Sequence, residues 1–161
     1  MADLATQLND DGDNYINDPS LEFAWVMQAT EKASIHMNVI MAVDTRKLKL
    51  TKDQDEIYAK FREMFPNLDV RSVDENELKA DNKATWAEFC KHFETVDDYN
   101  FGTIMRIKAD GIYNSENTII CPKIIFLAVE GARNVEGINE EAKPIYVAKH
   151  KAEQDGSGQV L

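Results

Sequence analysis

The sequence predicts an α+β fold: a single, mostly helical domain with a small, mainly antiparallel sheet. Three observations carry that expectation. Apolar residues recur every three or four positions in four separate stretches, each opened or closed by a helix signal. Three shorter stretches, near residues 68–73, 101–107 and 145–148, have a strand-like pattern. No internal repeat and no linker rich in Gly, Pro or Ser divides the middle of the 161 residues, which is about one domain's length.

The elements follow in order. Asp18-Pro19 supplies an N-cap and a proline suited to the first helical turn. Phe23, Val26, Thr30, Ala33, Met37 and Ile40 then mark a helix over 19–43, and Leu21, Trp25, Ala29 and Met41 widen its apolar stripe. Leu48-Lys49-Leu50 is an extended connector. Thr51-Lys52-Asp53-Gln54 has the capping-box pattern, and Ile57, Tyr58, Phe61, Met64 and Phe65 share one face of a helix over 52–65 that Pro66 stops. Leu68 to Val73 alternates like a strand, and Asp74-Glu75-Asn76-Glu77 opens a helical turn. Asp81 is the expected cap of a helix over 82–94, with Trp86, Phe89, Cys90 and Phe93 inward.

Phe101 to Ile107 reads as a strand, and Asp110-Gly111 as a turn, while the pattern of 99–120 as a whole is ambiguous. Pro122 opens a helix over 122–134 with Ile124, Ile125, Leu127, Ala128 and Ala132 buried, and Gly137 closes it. Ile145-Tyr146-Val147-Ala148 reads as a last strand, and the sequence does not fix whether it pairs with Leu68–Val73. The expected domain is 18–150. Residues 1–17, with Asp3, Asp10, Asp11 and Asp13, form a flexible acidic arm, and 151–161, with Gly156-Ser157-Gly158, a flexible tail.

Charge narrows the function. Lys plus Arg is 18 and Asp plus Glu 29, a net charge of −11. That balance argues against direct nucleic-acid binding and against an anionic membrane surface, and it suits a basic partner. No apolar run approaches a membrane span, and residues 1–18 lack the positive charge and apolar stretch of a signal or transit peptide. Two cysteines, Cys90 and Cys121, exclude a disulfide scaffold and point to a reducing, cytoplasmic setting.

Catalytic signatures are missing. Neither Gly-x-Gly-x-x-Gly nor the P-loop pattern occurs, so no nucleotide cofactor is expected. His36, His92 and His150 lie far apart, and no metal-ligand spacing is present. Cys90 and His92 project about 200° apart on a helix and do not form a nucleophile–base pair. Cys121 reads as a small buried hydrophobe, Trp25 and Trp86 as core anchors, and the paired carboxylates as solvated faces.

Two segments are less easily explained by folding alone: Asp98-Tyr99-Asn100-Phe101-Gly102-Thr103 with Arg106, which suits a shaped, partly exposed loop, and Glu130 to Gly137, which reads as a helix C-cap, a recognition surface or both. They carry part of a wider match. Asn17-Asp18-Pro19, Ala24-Trp25, Leu48-Lys49-Leu50-Thr51-Lys52, Asp55, Ile57-Tyr58 and Phe61-Arg62 form one cluster. Asn100-Phe101-Gly102-Thr103, Glu116-Asn117-Thr118-Ile119, Pro122, Ala132-Arg133-Asn134 and Glu136-Gly137 form the other. Together they resemble the eukaryotic polysaccharide-biosynthesis-domain-containing protein family, short cytosolic type, over residues 17–148. The chain departs from the family at Lys32-Ala33-Ser34, Asp44-Thr45, Gln54-Asp55 and Lys123.

The resemblance implies a non-enzymatic, cytoplasmic chaperone. Its client is newly made translation elongation factor 1-alpha, bound at the GTP-binding domain, with ribosome-associated factors as further partners and no cofactor. The alternatives are a carbohydrate-related transferase, which the family name suggests, or another adaptor. The partner-binding residues expected on this basis are Asn100, Phe101, Gly102, Thr103, Arg106, Arg133 and Asn134. The competing account of the two arginines is internal pairing with Asp98 or Glu130.

Overall fold

A computed structural model describes residues 19–79 and 82–156; Asp18 and Asp81, the expected caps, and the arm 1–17 lie outside the described residues. Six α-helices and one two-stranded antiparallel sheet are present among them: α1 Pro19–Ala42, α2 Gln54–Met64, α3 Glu75–Leu78, α4 Lys83–His92, β1 Gly102–Arg106, β2 Thr118–Pro122, α5 Lys123–Val135 and α6 Ile138–Asp155. The fold is the mostly helical α+β class expected. No described helix is long and apolar enough to cross a membrane.

Helix α5 is the hub: ten of its thirteen residues, Ile124, Ile125 and Leu127 through Asn134, are buried, and they lie on every face of the helix. One core packs α5 against α2, α4 and β1 through Ile57, Phe61, Trp86, Phe89 and Met105. A second packs the C-terminal half of α1 against α6 through Met37, Ile40, Ala142 and Tyr146. Gly131 lets α2 approach α5, since a Cβ there would stand 2.0 Å from the Gln54 amide nitrogen. Gly137, at φ 77°, makes the left-handed turn between α5 and α6 that glycine accommodates without strain. Gln54 is itself buried and its Oε1 accepts from Leu50 N–H at 3.4 Å, so it does not close the expected capping box onto Thr51.

Three expectations are corrected. Residues 68–73 form a turn with one isolated bridge, Ser72 to Lys108, rather than a strand. The carbonyls of Leu68 and Val70 are taken by arginine side chains, Arg62 and Arg133, instead of a neighbouring strand, while Val70 and Val73 are buried. Residues 145–148 lie inside α6, which continues through Pro144. Only Tyr146 of that run is fully buried, its hydroxyl donating to Ile40 O at 2.9 Å, while Ile145 and Val147 are exposed; the apolar run is one helical contact flanked by surface. The helix also carries residues 151–155 of the expected tail, and 157–161 lie outside the described residues.

The strand expected at 101–107 is β1. Its partner is β2, in the segment the pattern left ambiguous, with Gly102 opposite Pro122 and Arg106 opposite Thr118.

Candidate functional site

The most polar part of the interior is built from β1, α5 and the start of α6. Arg106 ends β1 and Glu130 sits about two turns inside the hub helix, both with fully buried side chains. Arg106 Nε donates to Glu130 Oε2 at 3.0 Å and Nη2 to Oε1 at 2.9 Å, a bidentate fork. Its remaining donors reach the carbonyls of Ala109 and Gly111 and the Asn139 side chain. Arg133, one turn along α5, donates to Glu130 Oε2 at 3.1 Å and to the carbonyls of Val70, Arg106 and Ile107. Asn139 Nδ2 bridges Glu130 and Asn134.

Burial pushes the Glu130 carboxyl up, but Arg106 and Arg133 outweigh that and hold it well below the usual carboxylate range. Two cations thus share one carboxylate, and five main-chain carbonyls absorb the remaining donors. This network ties the 65–74 turn, the segment after β1, α5 and α6 into one unit.

The seven expected partner-binding residues therefore divide. Arg106, Arg133 and Asn134 are buried in the network, and Arg106 pairs with Glu130 rather than Asp98. Offering them to a partner would require opening the core. Phe101 is 6% exposed, and Asn100, Gly102 and Thr103 are half-buried at the surface.

Phe101, Gly102 and Thr103 line a pocket of about 260 Å³ between β1, α1 and α5. Ala29, Ala33 and His36 from α1, with Phe126 from α5, form much of its wall. Lys32 and Lys123 also line it, and neither lies within ion-pair distance of a carboxylate among the described residues. Lys32 Nζ stands 4.9 Å from the Phe101 ring centroid, a cation–π contact. At one end Trp25 Nε1 donates to Gly102 O at 3.2 Å, and a Cβ on residue 102 would meet the indole at 3.3 Å.

His36 is packed edge-on against Tyr113 and Phe126, and its Nδ1 lies 2.6 Å from the Tyr113 hydroxyl. Burial lowers its pKa to about 4, so the imidazole is neutral at pH 7. Its Nε2 is buried without a hydrogen-bond partner among the described residues.

Sequence reasoning did not select Lys32, His36 or Tyr113. The signal for the first two was the spacing Ala29, Lys32, Ala33, His36: two small and two basic residues at i, i+3, i+4 and i+7 on one helical face. Burial raises the Cys90 thiol to about 11 and the Cys121 thiol higher still, so neither is a thiolate at neutral pH.

These features define a small helical α+β protein with an ion cluster fixed inside and an apolar recess open outside. Residues 21–144 match the family described as PBDC1 protein. The chain belongs to that family, the one its motifs resemble. It is 42% identical over 158 residues to Protein PBDC1 of Mus musculus, covering 96% of this chain and 78% of the mouse protein. It is 40% identical over 150 residues to Protein PBDC1 of Homo sapiens, covering 92% of this chain and 63% of the human one. The solution NMR structure of protein yst0336 from Saccharomyces cerevisiae is similar at a TM-score of 0.71 and 33% identity, over 83% of this chain and 97% of that one.

Proposed function

We propose that this chain is a non-enzymatic, cytoplasmic chaperone that binds newly synthesised translation elongation factor 1-alpha at its GTP-binding domain and assists its folding. The pocket between α1 and β1 is the contact surface, and ribosome-associated factors are further partners. The observation that carries the reading is that pocket. It is open, apolar and formed where the two motif clusters meet, with Leu50 from one and Phe101-Gly102-Thr103 from the other, and Trp25 bonded to Gly102 O beside it. A recess of this size suits one large apolar side chain of a client, the anchor type that dominates protein–protein binding. The net charge of −11 favours encounter with a basic client, and this contribution weakens as salt rises.

The test is capture of the client's GTP-binding domain during cell-free translation. Ile35 is exposed at the pocket rim and Lys32 is exposed beside it. The double variant Ile35→Lys, Lys32→Gln, which leaves the net charge at −11, is expected to reduce capture by tenfold or more, about 1.4 kcal/mol, with an unchanged melting temperature. Arg106→Ala is expected to do the reverse: a lower melting temperature with capture per folded molecule unchanged. Full capture by the double variant overturns the assignment of the surface, and absence of capture by the wild type overturns the client.

A further inference from the structure

The two edges of the β1–β2 sheet are finished differently. Lys123 N–H donates to Phe101 O and Ile107 N–H to Asn117 O, both at 2.8 Å, at the two ends of the ladder. With the register between them, this makes the odd-numbered residues the hydrogen-bonded pairs: Thr103 with Cys121 and Met105 with Ile119. The even-numbered residues turn their backbone groups outward. On β1 two of the outward carbonyls are taken, Gly102 O by the Trp25 indole and Arg106 O by Arg133, and Ile104 between them is packed against the second core. On β2 the outward residues are Thr118, Ile120 and Pro122, and no described residue bonds the main-chain N–H or C=O of Ile120.

That edge faces space. All five residues of β2 line a groove of about 720 Å³, whose far wall is Trp86, Ala87 and Cys90 of α4. Leu78, Lys79 and Lys83 continue the wall. Lys79 is paired with Glu75, whereas Lys83 is exposed and has no carboxylate within ion-pair distance among the described residues. Ile120 is 62% exposed, a large β-branched side chain on an edge that lacks the charged side chains by which such edges are normally blunted.

We propose that β2 is a docking edge for an extended segment of another protein, which adds as a third strand in the groove between β2 and α4. The backbone groups of Ile120 supply affinity without regard to sequence. The apolar floor at Ile119, Ile125 and Trp86 takes alternate side chains, and Lys83 selects a carboxylate, so the partner segment is apolar at every second position with an acidic residue beside α4. A second copy of this chain is a poorer occupant, because it brings its own α4 wall and lysines against the first. The groove is separate from the pocket at Phe101, and this assignment does not depend on the identity of any client there.

The experiment is selection of a displayed library of random 12-residue peptides on the intact chain, with counter-selection on Ile120→Pro. That substitution removes the outward N–H while leaving the odd-numbered ladder bonds, and proline is tolerated on a sheet edge. Enriched peptides are expected to alternate apolar residues around a carboxylate. They should bind at least tenfold more weakly to Ile120→Pro and to Lys83→Glu, bind Ile120→Ala within about threefold, and slow hydrogen exchange of the wild-type Ile120 amide. The exchange measurement uses only wild-type protein, so it decides the matter if the proline variant does not fold. No enriched peptide, equal binding to a folded proline variant, or unchanged exchange at Ile120 overturns the proposal. So does a wild-type dimer whose contact protects the same amide in place of a peptide.

Discussion

Arg106 and Arg62 grip glutamates in the same way, in opposite surroundings. Each uses Nε and Nη2 on the two oxygens of one carboxylate: 3.0 and 2.9 Å to Glu130, 2.7 and 2.9 Å to Glu136. Each also donates Nη1 to two main-chain carbonyls, Ala109 and Gly111 for Arg106, Phe65 and Leu68 for Arg62. The first pair is fully buried, and the second is about a quarter exposed, with the Tyr58 hydroxyl also on Glu136 at 2.9 Å. Identical chemistry therefore has unequal consequences. Water replaces a lost partner at the α2–α5 surface, and nothing replaces it in the core.

The largest expected effect follows from removing the shared carboxylate. Glu130→Ala leaves Arg106 and Arg133 buried without a counter-charge, and is expected to cost about 3–5 kcal/mol in urea unfolding. A loss below ~1 kcal/mol would show that water enters the network as freely as it reaches Arg62.

The next effect is set by pH, beside the same network. His36 is neutral when folded, with its pKa lowered to about 4 from 6.5 by burial. The unfolded chain binds the proton more readily, so this contribution is complete above pH 6.5 and is lost as pH falls toward 4. The loss amounts to roughly 3 kcal/mol. Stability measured between pH 7 and 4 should fall along that window in the wild type and flatten in His36→Gln. Glu130, also depressed, loses its contribution only as pH falls below the usual carboxylate value, so the two groups separate on the pH axis. A wild-type profile flat from pH 7 to 5 would contradict the burial of His36.

The smallest effect sharpens the comparison from the other side. Arg62→Ala removes the exposed counterpart and is expected to cost about 1 kcal/mol, partly from the Phe65 and Leu68 carbonyls, with a visible dependence on salt. A cost equal to that of Glu130→Ala would mean that burial is not what separates the two clusters.

Much of this architecture is legible in the sequence. Helices α1, α2, α4 and α5 follow from apolar spacing, and β1 from its apolar run, although α1 keeps its expected face only from Ala29 onward, with Phe23 and Val26 exposed, and α5 is buried on every face. The failures have a common origin, in side chains that do the work of backbone. Val70 lies in a turn whose carbonyl is held by Arg133, where an alternation imitates a strand, and Tyr146 lies in a helix between exposed Ile145 and Val147, where a short apolar run does. The site was half legible. Arg106 and Arg133 stand out as charges set among apolar residues, but residue type does not say which side of the surface a guanidinium occupies. Glu130, 24 positions from Arg106, decides that. The pocket at Phe101 is legible from one wall only, since α1 contributes the other from 62 or more positions away.

The placement of the two tryptophans has an optical consequence. Trp86 is 3% exposed and stacked on Phe65 at 4.1 Å between centroids, deep in the α2–α4 packing, whereas Trp25 is half-buried with its indole on Gly102 beside the pocket. One indole is thus an emitter largely enclosed in the core, edged only by the groove beside α4, and the other stands where a molecule arriving at the pocket changes its surroundings. With Trp86 replaced by Phe, the remaining fluorescence follows events at the pocket; with Trp25 replaced by Phe, it follows the core, and the protein carries both reporters without a label.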